Sequence, residues 1–198
     1  MRRYRLVLLL AAVMMGVSLL VLLRFAPATT SVTLVDCVRL ADACLQLPTV
    51  TGTTLAGETI TFPEAFSGAL NLVVMPFDRD QQVQAIEFVP VFQELAAEYE
   101  QVAYYSIAAL PDLAAPIRLL VSGGMQAAVS DPTLRATTAL LYLEDQQAFM
   151  TALAVPDDST IQIFIFNPAG EVLFQAIGAD PTELAVALRE KLTQLTAP

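Results

Sequence analysis

Cys37 and Cys44 are the only two cysteines in the chain, and they stand in a Cys-x6-Cys spacing. Two chemistries are open to such a pair. One is a structural disulfide, which an even, close pair suggests outside the cytoplasm and which would restrain the unfolded chain by about 2–3 kcal/mol. The other is a redox-active dithiol. Six intervening residues is not the two-residue spacing that lowers a thiol pKa, and no Lys or His lies nearby, so the staple is the preferred reading. The chain contains no His. That removes the usual general base near neutral pH and the usual metal ligand, and with them Ser–His and Cys–His nucleophiles and imidazole-bound zinc.

The other concentration of chemistry is Asp78-Arg79-Asp80. Two acids flanking an arginine fall short of the six or more oxygens that calcium wants. The cluster is either a recognition surface or a solvated turn with a helix-capping aspartate. Tyr104-Tyr105 reads as a pair stacked in or beside the core, and Asp157-Asp158 as a turn. No catalytic constellation, metal set or cofactor site emerges from these residues.

The elements that would carry them begin with Leu6–Leu23, an apolar run of 18 residues with Arg2, Arg3 and Arg5 before it and Arg24 after it. At 1.5 Å per residue it reaches about 27 Å, close to the ~30 Å hydrocarbon thickness of a bilayer. The positive-inside bias places the N-terminus in the cytoplasm and residue 25 onward outside. The expectation is a single-pass cell-membrane protein with an extracytoplasmic domain. A cleavable signal peptide is the alternative, with Ala26-Pro27-Ala28 as the small-residue site. Beyond residue 24, the remaining six basic residues stand against all 20 acids, a net charge of −14. Such a surface repels phosphate backbones and anionic lipid headgroups, which argues against nucleic acid and for a basic or neutral protein partner.

Residues 26–50 form a Thr-, Ala- and Pro-rich linker holding the cysteine clamp, and residues 51–198 form the folded domain. Leu55–Phe62, with Gly57 at its turn, suggests a small hairpin. Leu70–Met75 is a continuous apolar run, as in a strand buried on both faces. Ile86, Val89, Phe92, Leu95, Ala96 and Tyr99 recur at helical spacing, with Glu87, Glu94 and Glu98 opposite, so a helix is expected over 83–99. Val102–Ala108 reads as a second buried strand. Leu113–Val129 is helix-prone but interrupted by Pro116 and Gly123-Gly124. That pair beside Met125 is read as a helix break, with a flexible binding edge as the alternative.

Thr138–Leu143 is a third strand, and Asp145 caps a short helix to Leu153. Ile161–Phe166 and Val172–Ile177 pair across the turn Asn167-Pro168-Ala169-Gly170. Asp180 caps and Pro181 opens a last helix carrying Leu184, Leu188, Leu192 and Leu195 on one face. Hairpin, strand, helix, strand, helices, hairpin, helix is the order of an α/β sandwich.

This order resembles the thioredoxin-like fold of membrane-tethered thiol oxidoreductases and peroxiredoxins over about residues 50–196. Phe77 falls on the aromatic that ends the family's active-site strand, and Pro90 on its helix proline. The two positions of the family's Cys-x-x-Cys are then occupied by Gln82 and Ala85. Thr160 stands where the family has a cis-proline, and a cis bond before a non-proline residue costs ~3 kcal/mol. The resemblance implies a thioredoxin-like three-layer sandwich with a central mixed sheet, preceded by one transmembrane helix.

Amides supply no thiolate. The site is therefore expected to be redox-silent, with Asp78, Arg79, Asp80, Gln81, Gln82 and Thr160 as a partner-binding loop. Leu153–Leu184 is similar to redox-silent relatives, such as the assembly-factor family of the F-type ATP synthase. The reading is a chaperone, docking surface or assembly factor without cofactor, held in the membrane through residues 6–23. The alternative is a thiol–disulfide oxidoreductase or peroxidase using Cys37 and Cys44.

Overall fold

All six side chains of the strand at Leu70–Met75 are buried, which is why the sequence there does not alternate. The computed structural model describes residues 44–178 and 180–197, and the backbone alone at 35–36, 39–40 and 43. The apolar run Leu6–Leu23 and Cys37 lie outside the described residues. Among the described residues, no helix is long and apolar enough to cross a membrane.

The strands in chain order are β1 (Val35–Asp36), β2 (Arg39–Leu40), β3 (Ala43–Cys44), β4 (Val50–Thr54), β5 (Thr59–Phe62), β6 (Leu70–Met75), β7 (Val102–Pro111), β8 (Thr138–Leu143), β9 (Gln162–Phe166) and β10 (Val172–Ile177). Eight of them form one mixed sheet in the order β1-β10-β9-β6-β7-β8-β4-β5, while β2 and β3 pair separately. Its centre is parallel: β6 pairs with β7 from Leu70↔Val102 to Val74↔Ser106, and β7 pairs with β8. Antiparallel β9 flanks β6 on its other side, from Asn71↔Phe166 to Met75↔Gln162.

Among the described residues, five helices accompany the sheet: α1 (Arg79–Glu98), α2 (Ala115–Ala128), α3 (Pro132–Thr137), α4 (Gln146–Ala152) and α5 (Pro181–Thr196). Leu72 and Val74 point toward α1 and α5, where they join Phe88, Phe92, Leu95, Leu184, Leu188 and Leu192. Val73 and Met75 point the other way, into a core with Phe149 and Met150 of α4, Leu153 just after it, and the rings of Phe62, Phe66, Phe164 and Phe166. The period-2 alternation of a strand thus feeds two separate apolar layers. Arg189 of α5 ties the two helices of the first layer together, donating to Glu94 at 2.8 Å and Glu98 at 2.9 Å.

Four expectations need correction. The first is the start of α1, which lies at Arg79 rather than at 83, because the Asp78 carboxylate accepts from the Gln81 N–H at 2.7 Å and caps the helix early. The second is its buried stripe, which is Gln81, Ala85, Phe88, Phe92 and Leu95. Ile86 lies 58% exposed and Val89 half-buried on a second apolar stripe beside the first. The third is the break in α2: Pro116 sits in the first turn, where its missing N–H costs nothing, and the helix runs unbroken through Gly123-Gly124. The fourth is α3, capped by Asp131 ahead of Pro132, an Asp-Pro start like that of α5 in a stretch given no helix above.

Packing also reaches back before residue 51. Leu45 and Leu47 are buried in the core. The Val172 N–H donates to the Leu45 carbonyl and the Leu47 N–H to the Gly170 carbonyl, both at 2.8 Å.

Candidate functional site

β6 delivers its C-terminal end into Pro76-Phe77-Asp78, three residues that turn directly into α1. Phe77 is buried, and its peptide groups are held from both sides. Its N–H donates to Gln81 Oε1 at 2.8 Å. Its carbonyl accepts from Gln146 Nε2 at 2.9 Å, and the same amide donates to the Ala109 carbonyl at 2.7 Å. One glutamine from α1 and one from α4 therefore pin the strand end between the two helical layers.

Gln81 does more than receive the Phe77 N–H. It is only 3% exposed, and its Nε2 donates to the Asp158 carbonyl in the segment that leads to β9. A buried amide with both ends satisfied costs little, whereas one left unpaired would cost about 1–3 kcal/mol. This side chain closes the gap between the α1 N-terminus and the 157–160 stretch.

That stretch is a turn, as expected. Asp157 Oδ1 accepts from the Ser159 N–H at 2.9 Å and from the Ser159 hydroxyl. These bonds to the ionised form hold its carboxyl below the ordinary aspartate range. Thr160 follows, half-buried, with its carbonyl accepting from Gln162 Nε2 at 3.0 Å. Among the described residues the one cis peptide precedes Pro63, so the bond before Thr160 is trans. Gly178 packs against Thr160 at φ +56°, and a Cβ there would lie 2.5 Å from Thr160 Cγ2.

The structure thus joins Asp78 to Gln81 through the Gln81 N–H, and Gln81 to Asp158 through its side-chain amide, with Thr160 two residues beyond Asp158. Asp78, Arg79 and Asp80 are exposed, and Gln82 is half-buried. Gln82 and Ala85 lie inside α1, not on a loop, and neither offers a nucleophile. Among the described residues no group of three His, Cys, Asp or Glu side chains could hold a metal.

Cys44, in the separate β2–β3 pair, is disulfide-bonded. It adjoins Leu45, whose carbonyl accepts from Val172. Val172 pairs with Phe166, and Phe166 with Asn71 at the start of β6. Six residues of extended chain separate Asn71 from Phe77, about 20 Å at ~3.3 Å per residue.

The sequence reading missed an apolar groove beside this site. Phe77, Gln82, Leu120, Met125, Gln146 and Asp158 line a 720 Å³ cleft at the strand ends. A 470 Å³ trough continues from it between α1 and α2, floored by Ser106 and walled by Val83, Ile86, Pro90 and Ala128. Arg79, Gln82, Gly124 and Met125 border both. The available signal was the second apolar stripe of α1, Ile86 and Val89 running beside Phe88 and Phe92.

A parallel pair of strands around a strand–turn–helix, with an antiparallel hairpin and a final helix after it, decides the architecture. The fold is thioredoxin-like. Among solved structures, a copper-bound ScoI from Arabidopsis thaliana has a TM-score of 0.52 and 12% identity, covering 76% of this chain and 99% of its own. BsSco, described as a Sco-family cytochrome c oxidase assembly protein with a disulfide switch, has a TM-score of 0.50 and 14% identity, covering 75% and 94%. A thiol:disulfide interchange protein from Bacteroides sp. has a TM-score of 0.50 and 12% identity, covering 73% and 86%. At these identities the likeness is one of fold. No family model matches the sequence, and no curated protein matches it.

Proposed function

We propose that this thioredoxin-like domain is a redox-silent protein-binding module, tethered to the cell membrane through residues 6–23 and displayed outside the cytoplasm. There it serves as a chaperone or assembly factor for an exported or membrane protein. The observation that carries the reading is the occupancy of the α1 N-terminus. Gln82 and Ala85 stand where the resemblance places the two cysteines, and the amide of neighbouring Gln81 is committed to backbone partners on both sides.

An insulin-reduction assay and a peroxide-consumption assay on the full chain test it, with Cys37→Ser and Cys44→Ser variants alongside. The expected result is no turnover above background in any of the three proteins. Turnover by the wild-type chain that vanishes in the serine variants would overturn the proposal.

That outcome would establish the second reading, a thiol–disulfide oxidoreductase or peroxidase working through Cys37 and Cys44. What favours it is that structures of similar fold include a thiol:disulfide interchange protein and a Sco-family protein with a disulfide switch. Against it stands the position of Cys44, beside Leu45 at the Val172 end of β10, which lies level with the start of β6 rather than with Phe77.

A further inference from the structure

Exposed apolar surface is concentrated on two helices. Six large hydrophobic side chains are exposed among the described residues, and five of them lie on α1 and α2: Val83, Ile86, Ile117, Leu119 and Leu120, with exposures from 48% to 76%. α2 is the more telling of the two. It is 14 residues long, carries a single charge at Arg118, and contains no buried residue. A helix this apolar is ordinarily buried, and only Val121, Met125 and the adjoining Val129 pack onto the sheet through Leu55, Ala108, Leu110 and Leu140.

The glycines of α2 follow the same logic. A Cβ at Gly123 or Gly124 would meet nothing within 4 Å. No close packing within the fold requires a glycine at either place, yet each costs about 1 kcal/mol relative to alanine in a helix. What Gly124 does is leave the wall low where the cleft and the trough meet.

Charge decides what fits. On α1, Asp80 and Glu87 are exposed and stand three and four residues from groove-lining Val83, one turn to either side of it. Asp78 and Asp158 border one section and Asp131 another. Arg79 is the one basic residue lining either section. Arg118 is paired with Asp112 and Arg135 is spent on the Gln126 and Val129 carbonyls at the end of α2. A second copy of this chain would bring the same acids against these, and an anionic lipid surface would be repelled likewise. From Arg79 to Pro90 the α1 wall is about 17 Å long at 1.5 Å per residue, three turns of a docked helix.

We infer that the α1–α2 groove binds an amphipathic helix of a partner protein, its apolar stripe on Val83, Ile86, Leu120 and Met125 and its basic flank on the acidic lip. The inference rests on the protein-binding reading above and names the partner's chemistry.

The test uses the full chain in phosphatidylcholine nanodiscs and a fluorescein-labelled 14-residue Leu/Lys amphipathic peptide, read by anisotropy against empty nanodiscs. Saturable binding is expected, weakened at least tenfold by Ile86→Ser with Leu120→Ser and at least threefold by Glu87→Lys. Val186→Ser, an exposed apolar site on α5, is expected to leave it unchanged, and thermal melts verify that all variants fold. Binding that ignores the groove substitutions, or equal binding of a Leu/Glu peptide, overturns the inference. So does a concentration-dependent dimer that the Ile86/Leu120 variant abolishes, or capture of the domain by phosphatidylserine nanodiscs in place of the peptide. Insulin reduction measured on the same samples keeps failure of the redox-silent reading separate from failure of this one.

Discussion

Gln81 and Asp158 are 77 residues apart in sequence, and one amide–carbonyl hydrogen bond joins them across the strand ends. The same glutamine accepts the buried Phe77 N–H at 2.8 Å. Removing the side chain in Gln81→Ala leaves that N–H without a partner and frees the 157–160 turn. Equilibrium urea unfolding is expected to show a loss of about 1–3 kcal/mol. Gln82→Ala, one position on and half-buried without a side-chain hydrogen bond, is expected to stay within about 0.5 kcal/mol of wild type. Equal effects at the two positions would mean that the bridge contributes nothing.

The contrast between those neighbours also marks how far the sequence could be read. β6, β8, the β9–β10 hairpin and α5 were legible because each has a strong local signal. These are an unbroken apolar run, a Pro-Gly turn, and an Asp-Pro start ahead of leucines four apart. Asp78 could be seen as a possible cap, and it is one. Gln81 could not be singled out as the latch, since its partners Phe77 and Asp158 meet only when β6 and β9 pair. The groove was hidden for a related reason. Two apolar stripes on α1 read as one amphipathic face, and only the placement of α2 shows which stripe the sheet covers.

Gly178 should tolerate no side chain. Its φ of +56° is strained for an L-residue, and a Cβ would meet Thr160 Cγ2 at 2.5 Å. Gly178→Ala is expected to cost about 1–2 kcal/mol from the backbone alone, with the contact adding to it. Pairing it with Thr160→Ser, which deletes that methyl, should restore part of the loss in the same unfolding experiment. No recovery in the double variant would show that the contact is immaterial.

The α2 glycines should behave in the opposite way. Gly123→Ala places a methyl in open space within a helix interior, so a gain of about 0.5–1 kcal/mol is expected by urea unfolding. A destabilised Gly123→Ala would mean that the glycine meets something in the folded chain after all.

The pH dependence of stability can be traced to the caps. Asp180 Oδ1 accepts from the Thr182 N–H at 2.8 Å and the Glu183 N–H at 3.4 Å, opening α5. These backbone bonds hold its carboxyl below the ordinary aspartate range. A lowered carboxyl binds its proton more weakly in the folded chain than in the unfolded one. Its contribution is therefore complete above the unfolded value and lost as pH falls through the folded one. Asp180→Ala is expected to lower the melting temperature at pH 7, with the gap between variant and wild type narrowing as pH drops below the aspartate range. Asp157→Ala, where the accepted bonds come from Ser159 in a turn, should narrow over the same acidic window. A gap that stays constant into that range would mean that the two carboxylates stabilise the fold by something other than their charge.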